Sequence, residues 1–154
     1  MATPMLAGLL KVAASDPKLK GMISHVGEDL HITGVDQSRP WALGTLAHHA
    51  PVLVVTATSR EAEDLTAELT AMLGEKVAMF PAWETLPHER LSPGVDIIGR
   101  RAEVLHNLDR LQVIVTAARG LSQPILKEVE GRAPVHLEED LSLIHISEPT
   151  RLLS

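Results

Sequence analysis

Acidic side chains and a histidine that could do chemistry are concentrated in one proline-rich stretch, residues 80–96. Glu84, His88, Glu89 and Asp96 are of the residue types that general acid–base catalysis uses. Two carboxylates beside a histidine would also suit a metal ion. No nucleophile or set of oxyanion donors is recognisable near them. An α/β enzyme that uses these carboxylates is therefore one hypothesis for this stretch.

Ion pairing is the competing explanation of the same charges. Glu84 and Glu89 can pair with arginines inside the stretch or on the helix that follows it: Arg90, Arg100 and Arg101. A third hypothesis places those arginines on a nucleic-acid backbone, in a DNA-binding domain. Pairing within the protein is the favoured explanation. Charges of this group that stay unpaired would form a candidate partner surface, which we assign to Glu89, Arg90, Arg100 and Arg101.

Phosphate and metal sites are not recognisable as motifs. Neither G-x-x-x-x-G-K-[ST] nor G-x-G-x-x-G occurs. The nearest likeness is the turn around Gly34, Gln37 and Ser38, where Gln37 stands in place of a lysine and Asp36 would repel phosphate. The eight histidines are scattered, without an H-E-x-x-H motif. We therefore predict no catalytic residue, no metal and no cofactor for this chain.

Composition narrows the class of protein further. The chain has 154 residues, a net charge of -6 and no cysteine. This charge provides no broad footprint for nucleic acid, and the lack of cysteine excludes disulfides and thiolate metal sites. No apolar stretch is long enough to span a bilayer, and nothing reads as a signal peptide. We expect a soluble, cytoplasmic protein without a membrane partner.

Three apolar runs of strand length must position the polar stretch. They are residues 52–56, 76–80 and 112–116, and such runs are typical of strands buried in a parallel sheet. A capping box at Thr58 and Glu61 starts a helix between the first two runs. Its predicted buried stripe is Ala62, Leu65, Leu69, Met72 and Leu73.

The remaining segments complete the prediction of an α/β fold with a mainly parallel sheet flanked by helices. A helix that starts at Ser92 or Asp96 should turn Arg100 and Arg101 outward with Glu103 and Asn107, and its predicted buried face is Ile98, Ala102, Leu105 and Leu108. Before the first strand we predict helices at residues 6–14, from Pro17 and at 41–49, with a short strand at 30–33.

The segments together resemble the N-terminal region of bacterial transcription-repair coupling factors, the Mfd family. The resemblance rests on PVLVVTATSREAEDL (residues 51–65), FPAWETLPHERLSPGVD (80–96) and VIVTAARGL (113–121). It implies a UvrB-like, helicase-like domain 1a whose P-loop has degenerated at Gly34, Gln37 and Ser38. It also implies a non-catalytic scaffold within a longer ATP- and magnesium-dependent DNA translocase.

Partners and domains follow from the same resemblance. The family displaces stalled RNA polymerase and recruits nucleotide excision repair. We expect UvrA to bind through a module that is cut short here, and RNA polymerase and double-stranded DNA to bind through domains missing here. An intramolecular contact with the motor is also expected.

The expected domain limits are a helical segment at 1–29, the UvrB-like α/β domain at 30–122 and the truncated start of the UvrA-binding module at 123–140. Residues 141–154 resemble a translated sequencing-library adapter and are expected to carry no function.

Overall fold

A computed structural model describes residues 4–83 and 94–125 of the chain. Their centre is a parallel sheet of three strands, β1 (Val52–Thr56), β2 (Val77–Phe80) and β3 (Val113–Ala117). The strands lie in the order β1-β3-β2, so the last strand in sequence is the central one. Val113 of β3 is level with Val52 on one side and Val77 on the other. The predicted α/β class and its parallel sheet are thus confirmed.

Six α-helices accompany the sheet in the described ranges. They are α1 (Ala7–Ala13), α2 (Pro17–Ile23), α3 (Arg39–Ala47), α4 (Ser59–Leu73), α5 (Val95–His106) and α6 (Ala118–Leu121). Short 3₁₀ turns occupy Asp36–Ser38, Gly74–Lys76 and Leu108–Arg110. No helix in these ranges is long and apolar enough to cross a membrane.

Helix α4 forms one side of the core, as its sequence predicts. The Thr58 hydroxyl accepts a hydrogen bond from the Glu61 N–H at 3.2 Å, and the Glu61 carboxylate accepts one from the Ala57 N–H at 3.3 Å. The predicted stripe is buried in full: Ala62, Leu65, Leu69, Met72 and Leu73. Gly74 ends the helix with φ at 67°, a left-handed conformation that glycine adopts without steric cost.

The N-terminal helices pack on the same core. Leu10 of α1 is buried in the cluster that α4 and β3 also build. A Cβ at Gly44 of α3 would lie 3.0 Å from a Leu10 methyl, so the bare glycine allows α1 and α3 to approach closely. The expected strand at residues 30–33 is wrong, because this segment is exposed and pairs with no strand of the described sheet.

Helix α5 presents a different face from the predicted one. Arg101 and Val104 are its buried residues, while Ile98 and Leu108 are each 44% exposed. The predicted outward orientation of Arg101 is therefore wrong, and it cannot lie on the predicted exposed partner surface. The reason is that the Phe80 ring and the Pro81 carbonyl, at the end of β2, bind the Arg101 guanidinium.

Candidate functional site

The predicted acid–base group cannot be assembled from the described ranges. Glu84, His88, Glu89 and Arg90 lie outside them. Asp96 is exposed in the first turn of α5. The enzyme hypothesis and the roles of Glu89 and Arg90 therefore stay predictions, whereas the proposed phosphate contact of Arg101 conflicts with its burial.

Arg101 is a buried cation near the end of β2. Only 4% of the residue is exposed, and its guanidinium carbon lies over two aromatic rings, 4.1 Å from the centre of Phe80 and 4.4 Å from that of Trp83. It donates hydrogen bonds to the Pro81 carbonyl at 2.8 Å and to the Pro124 carbonyl at 3.4 Å. We call these five residues the arginine clamp. Because a desolvated cation over an aromatic ring gains about 2 kcal/mol or more, a buried arginine is tolerated here.

A second pair of hydrogen bonds joins the same segments. The Gln123 side chain accepts from the Trp83 N–H at 2.6 Å and donates to the Trp83 carbonyl at 3.4 Å. The amide of Gln123 thus satisfies both backbone groups of a residue that belongs to no strand. Together with Arg101, it ties the chain after β2 to the chain that follows β3.

Burial lowers the pKa of the Arg101 guanidinium, because desolvation disfavours its charged form. An arginine nevertheless keeps its charge at physiological pH. Arg101 is therefore a permanent cation that does not exchange protons in catalysis. Its role in the clamp is structural.

Two signals in the sequence could have located the clamp. Arg101 follows Ile97 by four residues and precedes Val104 by three, which is the spacing of a buried helical stripe. The region also contains the only Phe and one of the two Trp residues of the chain. The role of Gln123 had no local signal, because it depends on β3 bringing Gln123 beside the end of β2.

A cleft of about 430 Å³ lies beside the clamp, where the strands of the sheet end. Trp83, Met79 and Ile97 line it together with two exposed arginines, Arg100 of α5 and Arg119 of α6. Its other lining residues are Ser59, Glu63, Pro81 and Ala82. The carboxyl ends of parallel strands are where open α/β sheets bind ligands. We call this feature the arginine cleft.

Close packing of α6 shapes one side of this cleft. A Cβ at Gly120 would lie 2.6 Å from the Thr116 hydroxyl and 3.4 Å from the Ala82 N–H nitrogen. A side chain would fit there only if the Thr116 hydroxyl moved. The glycine therefore allows α6, which carries Arg119, to lie directly against the cleft wall.

A second, separate groove of about 460 Å³ lies beside the turn predicted to be a degenerate phosphate loop. Gly34, Gln37 and Ser38 are exposed in the turn before α3, and Gln37 is among the groove residues. Four carboxylates line it: Asp36, Glu61, Asp64 and Glu68. Such a lining repels phosphate groups, and Arg39 and Arg60 are its only basic residues within the described part of the chain.

Ion pairs occupy part of that groove. The Arg39 guanidinium donates to the Glu61 carboxylate and lies 3.5 Å from Asp36. The other oxygen of Glu61 accepts the Ala57 N–H just ahead of α4. The Glu61 carboxylate thus already accepts hydrogen bonds from the Ala57 N–H and from Arg39. An anionic ligand in this groove would need those same two donors. No group of three or more potential metal ligands occurs in residues 4–83 and 94–125.

The chain is similar in sequence to bacterial transcription-repair-coupling factors. Over 144 residues, 86% of the chain, it is 40% identical to transcription-repair-coupling factors of Mycobacterium tuberculosis and Mycobacterium bovis. It is 30% identical over 80 residues to the transcription-repair-coupling factor of Escherichia coli. The matched region spans 12% of the mycobacterial proteins. No protein-family model matches the chain.

Proposed function

We propose, from the premise that this chain corresponds to the N-terminal part of a transcription-repair-coupling factor, that it is a scaffold module without nucleotide chemistry of its own. The longer protein in which such a module acts would be an ATP-driven DNA translocase. It would displace stalled RNA polymerase and recruit nucleotide excision repair. The α/β unit described here would support the partner-binding parts of that protein and pack against its motor.

The observation that carries the proposal is the composition of the groove at Gln37. A phosphate loop needs free backbone donors and a lysine. Here Gln37 replaces the lysine, while Glu61 already binds the Ala57 N–H and Arg39. Because both partners of that ion pair are more than a third exposed, the pair itself stabilises the fold by no more than about 1 kcal/mol. The groove nevertheless keeps an excess of negative charge where a triphosphate would have to bind, because four carboxylates line it against two arginines.

Domain limits proposed from the same family extend this picture. Residues 30–122 would form a UvrB-like domain with a degenerate, helicase-like phosphate loop, and residues 123–140 would begin a UvrA-binding module. The described part supports a three-stranded parallel sheet in the first of these. Gln123, which binds both backbone groups of Trp83, would then lie at the junction where the chain enters the second.

A nucleotide titration tests the proposal. We expect ATP with magnesium to show no saturable binding to the chain up to about 1 mM, which corresponds to a binding free energy weaker than about -4 kcal/mol. Isothermal calorimetry is a suitable measurement. A matched variant, Gln37→Lys with Glu61→Gln, restores a cation and removes a charge, and should bind pyrophosphate more tightly than the parent chain.

Two results of these titrations would count against the proposal or its explanation. Magnesium-dependent ATP binding in the micromolar range by the unmodified chain would remove the scaffold proposal. An unchanged pyrophosphate affinity in the variant would show that the groove charges are not what prevents binding.

A further inference from the structure

The arginine cleft has a wall that is fixed before any ligand arrives. Trp83 makes three fixing contacts: its ring packs on the Arg101 guanidinium, and its backbone N–H and carbonyl both bind Gln123. An immobilised aromatic residue loses little conformational entropy when a partner packs against it. Trp and Arg are also the residue types most enriched among those that dominate binding energies at interfaces.

The cleft presents apolar and cationic groups together. Met79, Pro81 and Ile97 supply apolar surface, and Arg100 and Arg119 supply two guanidinium groups from different helices. Within residues 4–83 and 94–125, the ion pairs of the structure involve Arg39 alone and neither cleft arginine. Glu63 is the only carboxylate among the cleft residues described. The cleft thus fits a ligand with carboxylates on an apolar body.

Protein suits this cleft better than nucleic acid. Contact with a nucleic-acid backbone would need a continuous basic track, but the chain has a net charge of -6 and the neighbouring groove carries four carboxylates. A short peptide carries its negative charges locally, so it can reach two arginines without lying along the acidic surface. Guanidinium and carboxylate also match in geometry, through two parallel hydrogen bonds.

We propose that the arginine cleft binds an acidic peptide segment of a partner protein, with carboxylates on Arg100 and Arg119 and an apolar side chain against Trp83. The proposal deepens the scaffold function and rests on it for the protein nature of the partner. The groove at Gln37 takes no part in it, so an unexpected ATP affinity there would leave the cleft proposal standing.

Selection from a displayed library of random dodecapeptides tests the cleft directly. The whole 154-residue chain is the bait. We expect the enriched peptides to carry Asp or Glu next to an apolar residue, and a synthetic copy of one of them to change the fluorescence of Trp83. For that readout Trp41 is replaced by Phe, because Trp41 is the other tryptophan of the chain.

Charge reversal supplies the matched comparison. The double variant Arg100→Glu and Arg119→Glu should weaken binding of the selected peptide by at least about tenfold. Arg110→Glu changes an exposed arginine that does not line the cleft, and should leave the affinity within about twofold. Thermal unfolding of each variant shows whether its fold is retained. If the double variant fails to fold, the neutral variant Arg100→Gln with Arg119→Gln replaces it, and a loss of binding is again expected.

Three outcomes would overturn the proposal. The first is a library that yields no enriched peptide, or enriched peptides without acidic residues. The second is peptide binding that the arginine substitutions leave unchanged. The third is binding of a single-stranded oligonucleotide in preference to the peptides, lost steeply with added salt and lost in the same double variant, which would assign the cleft to nucleic acid.

Discussion

The guanidinium of Arg101 makes contacts that a lysine ammonium could not make in that position. It is flat, so it packs against the rings of Phe80 and Trp83, while its N–H groups donate to the carbonyls of Pro81 and Pro124. An ammonium group is smaller, carries stronger hydration and cannot stack. A charge-conserving substitution should therefore disrupt the clamp almost as much as removal of the charge.

Substitution Arg101→Lys tests this expectation. We expect a loss of roughly 2 kcal/mol in the free energy of unfolding, because stacking on two rings and at least one buried hydrogen bond are lost. Urea unfolding followed by tryptophan fluorescence measures it. Arg100→Lys is the matched control on the neighbouring exposed position and should change stability by less than about 0.5 kcal/mol. Equal losses for the two variants would contradict the stacking account.

Residue type alone misplaced Arg101, and the reason is instructive. Arginine is almost never fully buried without partners, so the sequence favours an outward position. The partners that reverse this preference come from the end of β2 and from Pro124, which lies 23 residues farther along the chain. The apolar residues of α4 involve no such compensation, and all five predicted from their spacing are buried.

At the scale of elements, local signals predicted helices and strands well and predicted their arrangement less well. The cap of α4 depends on residues within four positions of each other, so it is visible in the sequence. The central place of β3 and the buried face of α5 depend on contacts between distant segments. Of the residues that line the arginine cleft, Arg100 was among the candidate partner residues predicted from the sequence. Arg119 and Trp83 were not, because their position beside the cleft depends on the order of the strands.

Removal of the α4 cap is the prediction at this scale. Thr58→Ala should lower the free energy of unfolding by about 1 kcal/mol, because the Glu61 N–H loses its side-chain acceptor, and Thr58→Ser should restore most of it. The control is Thr66→Ala, since the Thr66 hydroxyl binds only the Ala62 carbonyl inside the helix. That variant should change stability by no more than about 0.5 kcal/mol in either direction. Chemical denaturation gives the values, and a larger loss from Thr66→Ala would contradict the capping argument.

At the scale of the whole described unit, the sheet has one poorly covered side at β1. Val52 and Val54 pack against the core, whereas Leu53 is 55% exposed and Val55 is 46% exposed. β1 is also an edge strand of the described sheet. An apolar edge strand is a surface on which copies of a chain associate.

We therefore expect the double variant Leu53→Thr and Val55→Thr to self-associate less than the parent chain. Light scattering during gel filtration measures the difference as a lower average mass at the same concentration. Threonine is β-branched and favours strands, and both positions are exposed, so stability should change little. The matched variant Val52→Thr and Val54→Thr alters the core-facing side and should instead lower stability by about 2 kcal/mol or more. Unchanged association in the first variant would show that the chain does not self-associate through β1.

The strand order also dictates when this fold can form during protein synthesis. β1 and β2 are made first, but each pairs with β3, and in the described sheet they do not pair with each other. The hydrogen bonds of both strands must therefore wait until Ala117 has left the ribosome, although Thr56 was made 60 residues before its neighbour Thr116. Until then α4 is the element with the strongest local signals, because its cap needs no distant partner, but its apolar stripe cannot yet be buried against β3. A nascent chain that stops short of β3 should expose two apolar strands, and it is at that stage that chaperones would be needed.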